Sequence, residues 1–465
     1  MPPNSLLRLR GAFQRCFSTS ATAAHNPLLS GLGASPDSAL HAYLTAPSQQ
    51  QVRSLEALHA AHPSGIQPAL QHVAPSVHAL PFLASVRAHT GQHLGTASWA
   101  KPVDSAALAV LRPLYSPAHT PLQQLALGSE QQSWMRSLLR SAQAQETVLP
   151  TTDPLEFERK FGWRRLVHAL HHRAAPEDLL AVLYTALLPG MPASLAALDA
   201  QSGQPPPPSQ AGSSSSSSTW TLEQLAQQPS QPLPTTATFY SVGSSAPVAR
   251  GLRLGTRIIF TLAAALAAAP QLRQHPLDTF CTLSPVPGFM PWLQALAQGP
   301  AGPREGLERT LSAQCSAGAL EAARGAAPAA GGSALLALWQ LLHTQQWWRH
   351  HPQQRPLAAA ALQAYLLSAR DGRGLPLCRV AAFHLGNGAR LGRVCGGADP
   401  SATGTARSGG FMVNYVYSQS GAEGLQRTQQ AQAAAFAESP GRALELMQPS
   451  TVWEGEEEAP AQRTQ

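Results

Sequence analysis

The sequence predicts an α+β fold: an N-terminal all-α helical bundle over about 25–150, followed by a mixed α/β domain over about 155–450. Three observations predict it. Residues 25–150 are rich in Ala, Leu, Gln and His, with apolar side chains at helical spacing, as at Val52, Leu55, Leu58 and Ala61. Prolines at 63, 68, 75, 81 and 102 cut that stretch into short helices. From about 155, apolar runs of strand length alternate with helical stretches. No repeat of about 34–40 residues recurs, which argues against a helical solenoid.

Taken in order, Leu179–Leu188 (LLAVLYTALL) reads as a buried strand. Residues 201–219, with Pro205–Pro208 and Ser213–Ser218, read as a low-complexity insertion with little to bury. Ala237–Val242 is the next expected strand, and a Gly-containing turn leads to a helix from about Thr256 to Ala268. Phe280–Leu283 and a proline-rich turn follow. Residues 303–368 read as mostly helical, and Arg379–Leu385 and Gly410–Ser418 as strands. The tail 451–465 carries Glu454–Glu458 and reads as acidic, solvated and disordered.

Composition narrows the functional classes. Apolar residues make up 44% of the 465, enough for a sizeable core. Charged residues are 12%, about half the usual ~25%. Lysine occurs only at Lys101 and Lys160, so a single arginine is weak evidence of a site. The net charge of +7 favours an anionic partner. The arginines are dispersed rather than interleaved with aromatics, so no nucleic-acid partner is expected. The five cysteines form no C-x-x-C pair, which argues against a disulfide scaffold and a structural zinc site. The longest apolar run, Ile258–Pro270, is too short to span a bilayer, and no membrane partner is expected.

Residues 1–24 carry Arg8, Arg10 and Arg15, no acid occurs before Asp37, and Ser and Thr follow. This is the composition of a transit peptide. Arg15–Ser18 resembles a mitochondrial processing site, so the mitochondrial matrix is expected, with the chloroplast as the alternative. The C-terminal Arg-Thr-Gln is not a peroxisomal signal.

Four constellations could carry chemistry. In Arg250–Thr256, Gly251 and Gly255 precede a helix whose N-terminal N–H groups suit a phosphate. In SPVPGF at 284–289, two prolines stiffen a turn with Ser284 at its mouth. It is not a G-x-S-x-G elbow, so a hydrolase triad has no support. In FHLGNGA at 383–389, His384 alternates with apolar neighbours before a Gly-Asn-Gly turn. In GGFMVNYVY at 409–417, Asn414, Tyr415 and Tyr417 put polar groups on an apolar strand, with the two tyrosines on one face.

The order SPVPGF, FHLGNGA, GADPSATG, GGFMVNYVY resembles the malonyl-CoA decarboxylase family. The resemblance extends to FYSV and GLRLGT at 239–256, to Phe161–Arg165 with the following PEDLL, and loosely to Leu114–Leu127. It implies an N-terminal helical domain, an acetyltransferase (GNAT)-like catalytic domain, and conversion of malonyl-CoA to acetyl-CoA and CO2 without metal or organic cofactor. It further implies Ser284, His384 and Tyr417 as catalytic residues. The pyrophosphate would lie at Arg250, Gly251, Arg253, Gly255 and Thr256. Asn387, Asp399 and Asn414 match supporting positions, and the family's tetramers imply a homo-oligomer.

One departure stands out: the family usually carries an acidic residue where this chain has Arg253. The exchange either strengthens phosphate binding or yields a CoA-binding homologue with lost or altered activity. Gly386, where Gln is common, is a smaller departure. Loss of CO2 from a malonyl thioester leaves an enolate, with the thioester carbonyl as electron sink. Ser284 and His384 are expected to be hydrogen-bonded and to relay a proton to carbon, with a histidine pKa near neutrality.

Overall fold

A computed structural model describes residues 35–125, 162–202, 233–315, 318–326 and 333–456, apart from 64, 163, 245–248, 420 and 446, together with 28 and 222. The expected transit peptide, most of the Pro/Ser insertion and residues 457–465 lie outside the described residues.

Five helices come first: α1 (Pro36–Thr45), α2 (Ser48–Ala61), α3 (Gln67–Gln71), α4 (Ala79–His93) and α5 (Ala100–Leu114). Their buried side chains, such as Leu55 and Leu58 on α2 and Phe82, Leu83 and Val86 on α4, recur at three and four residues. The stretch expected to be helical also contributes a strand, β1 (Leu122–Leu125), which pairs with β2 (Arg165–His172).

β2 continues a mixed sheet with β3 (Ala175–Leu188), β4 (Thr236–Gly243), β5 (Thr279–Thr282), β6 (Ser284–Pro285), β7 (Arg390–Gly396), β8 (Met412–Ser418) and β9 (Ser450–Trp453). The strand order is β1-β2-β3-β4-β5-β8-β7-β9, and β6 pairs with β8. The pairs β4/β5 and β7/β9 are parallel; the others are antiparallel. The apolar run 179–188 is the buried part of β3, covered on both faces and therefore without alternation.

Helices α6 (Leu195–Ser202), α7 (Leu254–Ala268) and α8 (Phe289–Gln298) connect or cover the strands. The helical stretch expected over 303–368 comprises α9 (Ala301–Gln314), α10 (Ala319–Ala326), α11 (Ala334–Leu342), α12 (Trp347–His350) and α13 (Arg355–Ser368). Then come α14 (Arg379–Gly386), α15 (Ala402–Ser408), α16 (Gly421–Glu438) and α17 (Pro440–Glu445). One core joins the N-terminal helices, α7 and the sheet: Val103, Leu170, Ile258, Phe280 and Tyr417 belong to the same buried cluster. Among the described residues no helix is long and apolar enough to cross a membrane.

Two expectations need correction. Arg379–Leu385 is a helix, not a strand. Its buried residues, Ala381, His384 and Leu385, follow helical spacing, and the local alternation was too short to separate the two periods. The Gly-Asn-Gly turn is the end of that helix: Gly388 adopts φ 82° and its N–H bonds the Leu385 carbonyl. The tail is also ordered through residue 456. β9 docks on β7, Trp453 packs edge-on against Trp347, and Glu454 accepts from Trp348 Nε1 at 3.0 Å and pairs with Arg349. Aromatic burial at Trp453 outweighs the charge that follows it.

Candidate active site

The register of the sheet brings the distant motifs together. β6 lies on β8 with Ser284 opposite Val413, which fixes Ser284 beside the strand carrying Tyr415 and Tyr417. α14 delivers His384 from its last turn onto the same spot, 100 residues after the serine. Ser284 Oγ and His384 Nε2 are 3.3 Å apart, and His384 Nδ1 is 2.8 Å from the Tyr417 hydroxyl. Tyr415 stacks on the imidazole, centroids 4.8 Å apart and planes 23° apart. The two tyrosines thus serve one histidine from one face of β8, as their i, i+2 spacing predicts.

Burial sets the electrostatics. His384 is 4% exposed, and desolvation pushes its pKa down to about 3. The expected near-neutral pKa is therefore corrected: with no carboxylate among its hydrogen-bond partners, nothing offsets the cost of burying an imidazolium. Burial likewise pushes the Tyr417 hydroxyl well up, so it stays protonated, with Asn387 opposing the shift.

A cavity of about 860 Å³ opens in front of this group. Its wall includes Ser284, His384, Asn387, Gly251, Arg253, Gly255 and Thr256. Tyr417 and Asn414 are not in that wall. Tyr417 stands behind His384. Asn414, fully buried, donates to the Thr282 and Pro192 carbonyls and accepts from Arg393 Nε and Cys395, tying β8 to β5, β7 and the segment before α6. Asn387 accepts from Thr256 Oγ1 at 2.9 Å, joining α14 to the first turn of α7. Asp399 accepts from the Ser401 N–H and sits against Gly404 at the start of α15, an Asx turn rather than a site group.

The turn before α7 presents that helix's N-terminus to the cavity, with its unbonded N–H groups. Gly255 faces Phe383, which would lie 3.3 Å from a Cβ there, a tight contact that a larger residue would meet only if the ring shifted. Arg253 caps the helix in the left-handed conformation, φ 55°, a costly state for a non-glycine residue that places it on the cavity wall. Arg250 departs from expectation. Its guanidinium turns away to Asp104 on α5 at 2.6 Å, while buried Arg87 on α4 holds the Arg250 carbonyl. Arg257 bonds the Tyr115 carbonyl and Thr120. The helical region thus grips both ends of this turn.

The residues that sequence reasoning missed are Thr282, which accepts the Ser284 hydroxyl at 2.9 Å, and Arg379 and Arg407 on the cavity wall. Thr282 lies two residues before the serine in the same motif, so proximity was an available signal. Nothing local marks the two arginines. Among the described residues no Asp or Glu lines the cavity, and the charged groups on its wall are Arg253, Arg379 and Arg407.

The family model described as the malonyl-CoA decarboxylase C-terminal domain matches residues 163–444. The mitochondrial malonyl-CoA decarboxylases of Anser anser anser and Rattus norvegicus are 26% and 27% identical over 298 and 277 residues. Those matches take in 63% and 58% of this chain and 52% and 49% of the relatives, so the chain spans about half the length of the curated relatives it matches. The crystal structure of malonyl-CoA decarboxylase from Cupriavidus metallidurans superposes with a TM-score of 0.63 at 21% identity, covering 97% of this chain and 98% of that one. That from Rhodopseudomonas palustris gives 0.60, also at 21%, with the same coverage.

Proposed function

We propose that this chain, which belongs to the malonyl-CoA decarboxylase family, converts malonyl-CoA to acetyl-CoA and CO2. The observation that carries the reading is the Ser284–His384–Tyr417 chain, with Ser284 and His384 at the wall of a cavity whose charged lining groups, among the described residues, are arginines. Such a cavity suits a ligand carrying phosphates and a carboxylate. The N-terminus of α7 would take the pyrophosphate, with Arg253 beside it. The parallel pair β4/β5, with the cavity along β4 and the Ser284 turn, supports the acetyltransferase-like reading of the catalytic domain.

The proposed chemistry needs no metal or organic cofactor. The C–C bond to the carboxylate breaks, its electron pair enters the thioester as an enolate, and the α-carbon is then protonated. A buried N–H or O–H donor aimed at the enolate oxygen acts in a low dielectric, where such donors are worth several kcal/mol. His384 is the group best placed to move the proton, and Ser284 and Tyr417 hold its two ring nitrogens. The helical region is proposed as a separate domain that positions the phosphate turn. A mitochondrial matrix location and a homotetramer are proposed from the composition of residues 1–24 and the family resemblance.

The test is acetyl-CoA formation from malonyl-CoA by the purified chain and by His384→Ala. Turnover that disappears in the variant supports the assignment, and undiminished turnover would sink it. Arg253 favours one second reading, a CoA-binding homologue without turnover. It predicts tight CoA binding by calorimetry and no acetyl-CoA from the wild-type chain.

A further inference from the structure

We infer that Arg87, buried on α4 and outside the cavity, is a positioning residue for the turn before α7, and that it raises the affinity of that turn for the coenzyme phosphates at a cost to the stability of the fold. The inference rests on the coenzyme reading above.

None of Arg87, Thr90, Gly91 and Asp104 lies on the cavity wall, so each acts on a ligand there only through the turn. Arg87 Nη2 donates to the carbonyl of Arg250, one residue before Gly251. The Arg250 guanidinium folds back over the helical region, bonding Asp104 Oδ1 at 2.6 Å and the Arg87 carbonyl at 3.5 Å. Residue 250 is thereby held at its carbonyl and at its side-chain end by one patch of α4 and α5. Gly251 follows with φ 77°, against Leu108 of α5. Glycine is the least restrained residue of the turn, so the bond to the carbonyl before it limits how far the following N–H groups can swing. Arg257 is held at the far end by the Tyr115 carbonyl and Thr120.

Arg87 is poorly bonded for a group with only a structural role. It is 1% exposed, and among the described residues its Nε and Nη1 make no hydrogen bond. Nη1 stands 3.7 Å from Asp104, longer than a hydrogen bond. Asp104 does not depend on it, because the carboxylate also accepts from Arg250 and from Thr90 Oγ1 at 2.8 Å. Burying an incompletely bonded guanidinium is unfavourable. An apolar side chain of similar length in its place is often neutral or stabilising when no opposite charge is left stranded. What Arg87 supplies in return is the donor to the Arg250 carbonyl.

Gly91 gives a second handle on the same contact. It lies one turn after Arg87 on α4, and a Cβ there would sit 2.6 Å from Arg250 Nη1. Alanine at 91 therefore pushes the Arg250 guanidinium off Asp104 while raising the helix propensity of α4. It loosens the turn without entering the cavity.

The experiment measures the denaturant midpoint, the steady-state constants for malonyl-CoA and the Kd for CoA by calorimetry, all on the full chain. Arg87→Met should keep or raise the midpoint while KM and Kd rise about 10-fold and kcat stays within a factor of two. Arg87→Lys, which keeps a donor for the Arg250 carbonyl, should restore most of the affinity. Gly91→Ala should raise Kd about 3-fold, again with the midpoint kept or raised. A folded Arg87→Met chain with wild-type KM and Kd overturns the inference. So does one whose midpoint and affinity fall together, the mark of a structural role. An Arg87→Met chain that does not fold overturns the stability half, and Gly91→Ala then decides the positioning half, which an unchanged Kd overturns. A wild-type chain that binds CoA but makes no acetyl-CoA overturns the decarboxylase reading alone, and the Kd values still decide the role of Arg87. A wild-type chain that binds no CoA overturns both.

Discussion

At the Ser284 wall of the cavity the polar groups are buried, neutral and bonded to one another; at the turn 251–256 the same cavity is rimmed by an exposed arginine and the open end of a helix. The first region works in a low dielectric, where one misplaced proton is expensive and a single donor is strong. The second works in water, where each charge counts for less and is screened by salt. On the proposed reading chemistry and binding are separated along one cavity by burial, although both regions are held by the same device, a side chain on one element bonding the backbone of another.

The sharpest way to break this contrast is at its dry end. His384→Ala should lower kcat by about 1000-fold with the fold intact, measured as acetyl-CoA formation beside circular dichroism. Asn414→Leu removes the donor to the Thr282 and Pro192 carbonyls and the acceptor of Arg393 Nε, and should cost roughly 3 kcal/mol in denaturant unfolding. A loss under 1 kcal/mol would show that the strands hold their register without it.

At the wet end, effects should fall on KM. Arg253→Glu should raise KM for malonyl-CoA about 10-fold with kcat within a factor of two, and the difference should shrink at high salt. A large fall in kcat instead would place Arg253 in the chemistry. Asp104→Asn releases Arg250 from α5 and should raise KM a few-fold, roughly 1 kcal/mol or less.

Acid sharpens the contrast. His384 and His168 are buried neutral, with pKa values pushed down to about 3 and about 4. The unfolded chain binds protons on both as pH falls through about 6.5, and the folded chain does not. The stability tied to these groups is therefore complete above about 6.5 and is lost as pH falls toward 4, by up to about 1.4 kcal/mol per pH unit for each group. Denaturant midpoints at pH 7.5, 6.0 and 5.0 test this, and His168→Gln should flatten the slope. The same burial predicts no histidine ionisation near 6.5 in the pH profile of kcat/KM.

Much of the site was legible because its motifs are short and rigid. The prolines of 284–289 and the i, i+2 tyrosines of β8 express their geometry within a few residues. His384 was found by its motif while its secondary structure was misread, because eight residues of mixed spacing satisfy either period. Arg250 was misassigned for a different reason. Its place in the turn suggested a phosphate, but its partner, Asp104, comes from 146 residues earlier. The strand Ser450–Trp453 was hidden by the acidic run beside it, since its stability comes from aromatic contacts with α12 and β8 neighbours far away in the chain.

What the sequence determined by itself are the properties carried by local covalent pattern: the α+β class, the strand of 179–188, a helix from about 256 to 268, the stiff serine turn and the motifs that meet around His384. What only the tertiary structure decided are the properties that depend on who lies opposite. These include the burial of His384 between Ser284 and Tyr417, the choice of Arg253 rather than Arg250 for the cavity, and the arrival of Arg379 and Arg407 at its wall. The physical reason is that a residue's conformational preference is set by its neighbours in sequence, whereas its charge state and hydrogen-bond direction are set by the dielectric and the donors around it, which the packing of distant segments supplies.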